Sequence, residues 1–277
     1  MRELDAADIS NTLARMCIEA NLRLPEDVKS CIVEARENES WPLAHGILDK
    51  IVENFSIGGH TPICQDTGMA CVFLEIGQDV HIIGDLSAAV DEGVRRGYSE
   101  GYLRKSVVCD PLNRVNTGDN TPAMLYTELV PGDKIKITVA PKGFGSENMS
   151  AIKMLKPSDG VEGIKRFILD TVENAGPNPC PPIVVGVGIG GTFDKAALLA
   201  KKALLRNLDS HNPQPFYAAL EDALLEEINA LGIGPQGFGG RTTALAVNIE
   251  VMPTHIAGLP CAVNMNCHVA RHVTEVL

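Results

Sequence analysis

The chain has 277 residues, 45% of them hydrophobic, so it is long enough to bury a sizeable core. Its formal net charge of -11 excludes a large nucleic-acid surface, because phosphate binding needs clustered Lys and Arg and the basic residues here are dispersed. No apolar stretch approaches the roughly 18 to 20 residues that cross a bilayer, and the N-terminus lacks the apolar segment of a signal peptide, so we expect a cytoplasmic protein with no membrane or nucleic-acid partner.

The N-terminal part of the chain, about residues 1–57, is predicted to be helical. Apolar residues recur at helical spacing in Ile9, Leu13 and Met16, and Pro25 suits the first turn of a second helix. The same spacing continues over residues 43–51. We therefore expect three helices between residues 5 and 55.

The remainder of the chain mixes strands with helices. Strands are predicted over residues 71–76, 123–129, 134–140, 183–187, 243–251 and 262–265, and helices over about 86–107, 192–207 and 214–231. This pattern predicts a mixed α/β (α+β) fold, in which mixed β-sheets with packed helices follow the helical N-terminal part. No internal repeat or Pro/Ser-rich linker divides the chain, so we expect a single domain over residues 1–277.

Three cysteines that are far apart in the chain each lie in a short segment rich in Gly, Pro or Asn beside an apolar run: Cys64, Cys180 and Cys267. Such a segment can direct a side chain into a cleft. Three thiolates from three loops suggest a metal centre rather than a disulfide framework. Three ligands would leave a fourth coordination position open for chemistry.

Spacing alone does not choose the ligands among the eight cysteines. Cys71, Cys109 and Cys261 are competitors, there is no CxxC pair, and a mononuclear zinc site stays open. Cys17 and Cys31 lie in predicted helices, where we expect them to be small apolar filler.

Gly186, Gly188 and Gly191 match the dinucleotide-binding pattern between a predicted strand and a predicted helix. In that pattern, an acidic residue at the end of a second strand binds the ribose. The segment around Asp209 is not such a strand, so this acidic residue is missing. A dinucleotide-binding reductase that uses Gly186–Gly191 is nevertheless the alternative from a different class. The same glycines would otherwise let the backbone pass close to an inorganic centre.

Polar residues beside these segments are candidates for chemistry. Gln65 and Asp66 directly follow Cys64, although the sequence there also suits an ordinary turn. His255 could share a proton with a carboxylate, or it could be a satisfied structural histidine. Arg104 could bind a carboxylate through two nitrogens, or it could be a solvated charge on a helix.

Taken together, these motifs resemble the class I, iron-sulfur-dependent fumarase and L-tartrate dehydratase family. The resemblance covers essentially the whole chain and rests on residues 62–68, 103–106, 142–148, 180–182 and 188–192, and on His255 placed twelve residues before Cys267. It implies a 4Fe-4S cluster held by Cys64, Cys180 and Cys267, with Cys261 left aside.

The resemblance also implies roles for the polar residues. Asp66, linked to His255, would transfer protons. The substrate carboxylates would contact Gln65, Arg104, Lys142, Gly143 and Gly145. Family enzymes have a second, smaller domain that we do not find in this sequence, so the resemblance implies an α subunit that a separate β subunit completes, in an oligomeric enzyme.

The activity implied by the resemblance is that of a hydro-lyase, which reversibly dehydrates a 2-hydroxy dicarboxylate. We expect malate to fumarate as the reaction, with an L-tartrate dehydratase α subunit as the alternative within the same chemistry. The two substrates differ by one hydroxyl group, and the sequence does not separate them.

Overall fold

The protein is described by a computed structural model that covers residues 1–57 and 59–277. Gly58, where the sequence predicts the start of a loop, lies outside the described residues. The chain forms two compact units. Unit 1 contains residues 1–25, 57–144 and 271–277, and unit 2 contains residues 26–56 and 145–270. The single domain expected from the sequence stays a prediction.

The helices and strands are numbered in chain order. The helices are α1 (Ala6–Leu22), α2 (Glu26–Glu37), α3 (Pro42–Ile57), α4 (Leu86–Glu100), α5 (Phe144–Glu147), α6 (Gly160–Ala175), α7 (Phe193–Ala203) and α8 (Pro215–Ala230). The strands are β1 (Arg2–Asp5), β2 (Met69–Gly77), β3 (Val80–Ile83), β4 (Met124–Val130), β5 (Ile135–Lys142), β6 (Ala151–Leu155), β7 (Ile183–Gly191), β8 (Ala244–Thr254), β9 (Leu259–Asn266) and β10 (Val273–Val276). The mixed α/β fold and the three N-terminal helices are confirmed.

Unit 1 is built on a four-stranded sheet in the order β10-β5-β2-β4, with β1 and β3 forming a separate parallel pair. Strand β2 is central: it runs antiparallel to β5 and parallel to β4. Helices α1 and α4 are capped by Asp5 and Asp85, whose side chains accept a hydrogen bond from the first helical turn. Their apolar faces join the buried side of the sheet in one core.

Helix α4 ends at Glu100, seven residues before the end predicted at 107. Tyr102 has a φ of 52°, and the Leu103 N–H donates to the Tyr98 carbonyl at 3.0 Å. A left-handed residue followed by this bond is a common helix ending, which apolar spacing does not reveal. As a result, Arg104 lies in a loop after the helix and not on the helix itself.

Unit 2 is built on a four-stranded sheet in the order β6-β9-β7-β8. Successive residues of β7 point to opposite faces. Val185 and Val187 pack into the core formed with α6 and α8, whereas Gly186 and Gly188 lie against α7. A Cβ on Gly188 would lie 2.1 Å from the Ala196 carbonyl oxygen, so only glycine allows α7 to pack this closely.

This packing corrects the dinucleotide-binding interpretation of Gly186–Gly191. A nucleotide pattern needs its glycines in the turn between strand and helix, where the backbone meets the phosphates. Here the glycines lie within β7 and bring a helix close to the sheet. The alternative of a reductase therefore loses the feature on which it was based.

Four short strands were not predicted: β1, β3, β6 and β10. Each has four or five residues, and β6 and β10 lie at sheet edges. Such short segments carry little periodicity of their own, and their extended form depends on pairing with a neighbour. In the part of the chain that the structure describes, no helix is both long and apolar enough to span a membrane.

Candidate active site

The first group of candidate residues lies in unit 1, in the loop that precedes β2. This loop contains Cys64, Gln65 and Asp66, and the cysteine and the aspartate are half-buried. The Ile63 N–H donates to the carbonyl of the buried Asn21 at 3.0 Å, which fixes the start of the loop. Below, we call residues 64–68 the Cys64 loop.

The Asp66 carboxylate is held by two backbone N–H groups. Its Oδ1 accepts from the Gly68 N–H at 3.0 Å, and its Oδ2 accepts from the Phe144 N–H at 2.9 Å. A Cβ on Gly143 would lie 3.2 Å from Oδ2, so glycine leaves room for the carboxylate. The carboxylate thus has a fixed direction and stays accessible, as a proton-transferring group requires.

Buried side chains support the Cys64 loop from beneath through its carbonyl groups. The Tyr98 hydroxyl lies 2.7 Å from the Thr67 carbonyl oxygen and 3.0 Å from that of Gly68. Asn120 Nδ2 donates to the same Gly68 carbonyl at 3.1 Å. Tyr98 and Asn120 are both fully buried, and burial raises the pKa of Tyr98 well above its ordinary value, so its hydroxyl remains a donor.

Arg271 provides a further support. It is 5% exposed, and its Nη2 donates to the Asp66 carbonyl. Sequence reasoning missed Arg271, Tyr98 and Asn120. Of these three, only Tyr98 carried a signal in the sequence: it lies at helical spacing after Val90 and Val94, which indicates a buried position on α4.

Two more predicted substrate-binding residues are attached to the same loop. The Thr67 hydroxyl donates to the Arg104 carbonyl at 3.1 Å, so the main chain at Arg104 is fixed while its side chain is exposed. Lys142 is buried at the end of β5, where its backbone meets Gly68. Because a Cβ on Gly68 would lie 2.8 Å from the Lys142 nitrogen, this close approach needs glycine.

The second group lies in unit 2, where the segments of Cys180 and Cys267 are neighbours. The Cys180 carbonyl accepts from the His268 N–H at 3.4 Å, and His268 Nδ1 lies 3.0 Å from the same oxygen. Gln236 fixes the next carbonyl, because its N–H and its Nε2 each donate to Pro181 at 2.8 Å.

The backbone of Cys180 is in an unusual conformation. Its φ is 57°, a left-handed value that few residues other than glycine adopt. Such conformations persist only where the surroundings enforce them, and they cluster at functional sites. Here the surrounding prolines and hydrogen bonds hold the main chain of this exposed cysteine in place.

An open groove of about 500 Å³ in unit 2 reaches this segment. Its walls include Leu43, Ile47 and Lys50 of α3, and Gln236 and His268 on the side of the cysteines. The groove thus lies beside the residue that follows Cys267, because His268 forms part of its wall.

Accessibility separates the cysteines that were left open by their spacing. Cys17, Cys71 and Cys261 are buried, and burial raises the pKa of Cys17 and of Cys261 to about 12. Since the thiolate is the metal ligand, these thiols are poor candidates. Cys64 and Cys267 are half-buried, as is Cys31. Cys180 is exposed, as is the competitor Cys109.

The part of the chain that the structure describes offers no ready-made site for a single metal ion. Among the described residues, no three His, Cys, Asp or Glu side chains are grouped closely enough to hold one. The mononuclear zinc site that the sequence left open therefore gains no support. A four-iron cluster makes a different demand, because its cysteines bind separate irons of the cluster.

Two predicted residues lie in unit 2, away from the Cys64 loop in the chain. His255 is exposed in the turn between β8 and β9, and its Nδ1 accepts from the Ala257 N–H at 3.2 Å. Gly145 is exposed within α5. The pairing of His255 with Asp66 stays a prediction.

Comparison with known proteins covers nearly the whole chain. Residues 10–276 match the family model described as fumarate hydratase (Fumerase). A protein of Methanocaldococcus jannaschii named "Putative L(+)-tartrate dehydratase subunit alpha" is 47% identical over 276 residues, 96% of both chains. The L(+)-tartrate dehydratase subunit alpha of Escherichia coli strain K12 is 31% identical over 272 residues, 96% of this chain and 89% of the relative. The chain thus belongs to the fumarate hydratase (Fumerase) family and is a hydro-lyase of that family.

Proposed function

We propose that this chain is the α subunit of an iron-sulfur hydro-lyase that removes water from L(+)-tartrate. The names of its relatives support this substrate, and they favour it over the conversion of malate to fumarate that the sequence put first. The name of the matching family model keeps malate as the second candidate. Both substrates are 2-hydroxy dicarboxylates, and both lose a proton and a hydroxide from adjacent carbons.

The observation that carries the proposal is the Asp66 carboxylate beside Cys64. Dehydration breaks a C–H bond next to a carboxylate, and the base takes that proton while the bonding electrons form the new double bond. Asp66 suits this role because two backbone N–H groups fix the direction of its carboxylate, and because the residue is only half-buried. The departing hydroxide takes up a proton and leaves as water, and His255 is our candidate for the group linked to Asp66.

The substrate is a dianion, while the chain carries a net charge of -11. Local donors must therefore bind the carboxylates and stabilise the charge that develops when the proton leaves. Arg104 suits this role, since its exposed guanidinium makes no ion pair among the described residues. Gln65 and the backbone of the loop at Lys142, Gly143 and Gly145 are the further donors that we assign.

We assign Cys64, Cys180 and Cys267 as the ligands of a 4Fe-4S cluster. Their accessible thiols fit this role, whereas the buried thiol of Cys261 does not. When bound, a cluster with one iron lacking a thiolate supplies a Lewis acid toward the hydroxyl that leaves. The protein's part is to hold the thiols and to orient the substrate beside Asp66.

We further propose that the active enzyme contains a second subunit. The relatives are named as alpha subunits, which supports a partner subunit that contributes the remaining site residues.

The substrate is tested by co-expressing the chain with its partner subunit, purifying the complex without oxygen and measuring kcat/KM for L(+)-tartrate and for L-malate. We expect a preference of at least about 10-fold for tartrate, since a site built to bind a hydroxyl group discriminates against its absence. A tenfold preference for malate would make the complex a fumarate hydratase. Failure to turn over either acid, in a complex with full iron content, would reject the hydro-lyase proposal.

The cluster is tested through its ligands. Wild-type complex should contain about four iron and four sulfide per α chain. Cys64→Ser and Cys180→Ser should lose most of this iron, whereas Cys31→Ser and Cys109→Ser, which change thiols of matched exposure, should retain it. Equal iron content in all four variants would contradict the ligand assignment.

A further inference from the structure

Arg271 is a buried cation next to the Cys64 loop. It is the first residue of the last chain segment in unit 1, and it lies four positions after Cys267 in the sequence. Its Nη2 donates to the Asp66 carbonyl, two residues after Cys64. This hydrogen bond therefore links the segment that follows Cys267 to the segment that follows Cys64.

The guanidinium of Arg271 lacks the partners that a buried arginine normally has. Its Nε and Nη1 are fully buried and have no hydrogen-bond partner among the described residues. No carboxylate within the described ranges forms an ion pair with it. Its one bond is to a neutral carbonyl, so its positive charge is uncompensated.

Arg206 in unit 2 shows what a partly buried arginine with a structural role looks like. It forms an ion pair with the buried Glu221 at 2.7 Å, and it also donates to the carbonyls of Ile249 and Ser210. Its charge and its donors are thus satisfied within the fold. Arg271 is more deeply buried than Arg206, yet of the two only Arg206 has a carboxylate counter-charge among the described residues.

A buried charge without a counter-charge is strongly unfavourable, so a fold retains it only where another interaction compensates for the cost. The Cys64 loop is where negative charge would be added. Cys64 becomes an anion when it binds iron as a thiolate, and Asp66 on the same loop is a carboxylate. Groups that surround a metal ligand commonly tune its affinity in this way.

We propose that Arg271 is the counter-charge of the Cys64 loop: it holds the loop through the Asp66 carbonyl and balances the negative charge that the loop gains when the cluster binds. This inference rests on the proposed function. Arg271 is a positioning residue and contacts no substrate. In the cluster-free protein its charge is a cost, and in the loaded protein it is compensated.

The test compares Arg271→Met, Arg271→Lys and Arg206→Met with wild type in the complex with the partner subunit. Each is studied loaded, after anaerobic purification, and again after removal of the cluster by oxidation and chelation. The measurements are iron content, the half-life of the cluster absorbance in air, and the melting temperature of both forms.

We expect Arg271→Met to shorten the cluster half-life at least about 10-fold, because groups around a metal site commonly change affinity by that factor. The melting temperature of its cluster-free form should equal or exceed that of cluster-free wild type. Arg206→Met should lower the melting temperature of both forms by about 5 °C or more, since it leaves Glu221 buried without its partner. Arg271→Lys should keep the half-life within about threefold of wild type, because it keeps the charge.

The inference is overturned if Arg271→Met destabilises the cluster-free protein as Arg206→Met does, or if it leaves the half-life unchanged. It is also overturned if Arg271→Lys loses the cluster as fast as Arg271→Met, because charge would then not be the cause. Cys64→Ser separates this result from the proposed function. If that variant retains iron, the ligand assignment fails, whatever the Arg271 variants show.

Discussion

The Cys64 loop in unit 1 and the Cys180 segment in unit 2 are held in position by different means. Beneath the Cys64 loop, buried side chains reach main-chain carbonyls: Tyr98, Asn120 and Arg271 all donate to it. The Cys180 segment depends mainly on its own backbone, with a left-handed residue between prolines. Support from side chains can bring a charge to the loop, as Arg271 does. Support from the backbone fixes only the course of the main chain.

This difference matches the chemistry that each segment is proposed to perform. The Cys64 loop also carries Gln65 and Asp66, which we propose to bind the substrate and to transfer protons, and such roles need a defined geometry. The Cys180 segment carries only a proposed ligand. Four predictions test the comparison, beginning with the largest effect.

Replacing the carboxylate on the Cys64 loop should have the largest effect. Asp66→Asn keeps the shape of the side chain and removes its ability to take a proton, so we expect kcat to fall about 1,000-fold, within the range of general acid–base catalysis. The measurement is kcat of the loaded complex at matched iron content. Asp133→Asn, which changes an exposed carboxylate in the turn between β4 and β5, is the control and should leave kcat unchanged. An Asp66→Asn variant that retains a third of wild-type kcat would remove this residue from the mechanism.

A substitution at Gly188 tests whether unit 2 depends on the close approach of the α7 backbone to β7. In Gly188→Ala the new methyl group would meet the Ala196 carbonyl oxygen at 2.1 Å, so we expect a loss of about 3 kcal/mol in the free energy of unfolding. The measurement is urea denaturation. Gly46→Ala in α3, where nothing lies within 4 Å of the added Cβ, should be neutral or stabilising by up to about 1 kcal/mol. Equal stability of the two variants would argue against close packing at Gly188.

Tyr98 tests the side-chain support of unit 1. Tyr98→Phe removes the donor to the Thr67 and Gly68 carbonyls without creating a large cavity, so we expect a loss of about 2 kcal/mol from buried groups that lose their partner. Thermal unfolding measures this loss, and kcat should fall with it because the Asp66 geometry loosens. Tyr217→Phe in α8, a half-buried tyrosine in unit 2, should change stability by less than about 0.5 kcal/mol. Unchanged stability in Tyr98→Phe would mean that the loop does not depend on this hydroxyl.

Gln236 gives the smallest expected effect. Gln236→Ala removes one of two bonds to the Pro181 carbonyl, and the Gln236 N–H still donates to it, so we expect a loss of about 1 kcal/mol. Melting temperature and iron content are the measurements, with the exposed Gln214→Ala as the control. A loss larger than that of Tyr98→Phe would reverse the comparison, since it would make a side chain the main support of the Cys180 segment.

Much of the fold could be predicted from local patterns. The N-terminal helices follow from apolar spacing such as Ile9, Leu13 and Met16, and the longer strands follow from apolar runs such as 183–187. The short strands and the early end of α4 could not be predicted, because they depend on pairing partners and on one left-handed residue at Tyr102. The contact of the β7 glycines with α7 could not be predicted for a similar reason, because α7 lies later in the chain.

The candidate site divides in the same way. The sequence by itself determined the family resemblance and the candidate residues, since Cys64, Asp66 and Cys180 lie in distinctive local segments. Only the tertiary structure decided which thiols are accessible, and only it brought Arg271 to Asp66 across 205 positions of the chain. Periodicity and motif are properties of neighbouring residues, whereas burial and hydrogen bonding are properties of residues that meet only after folding.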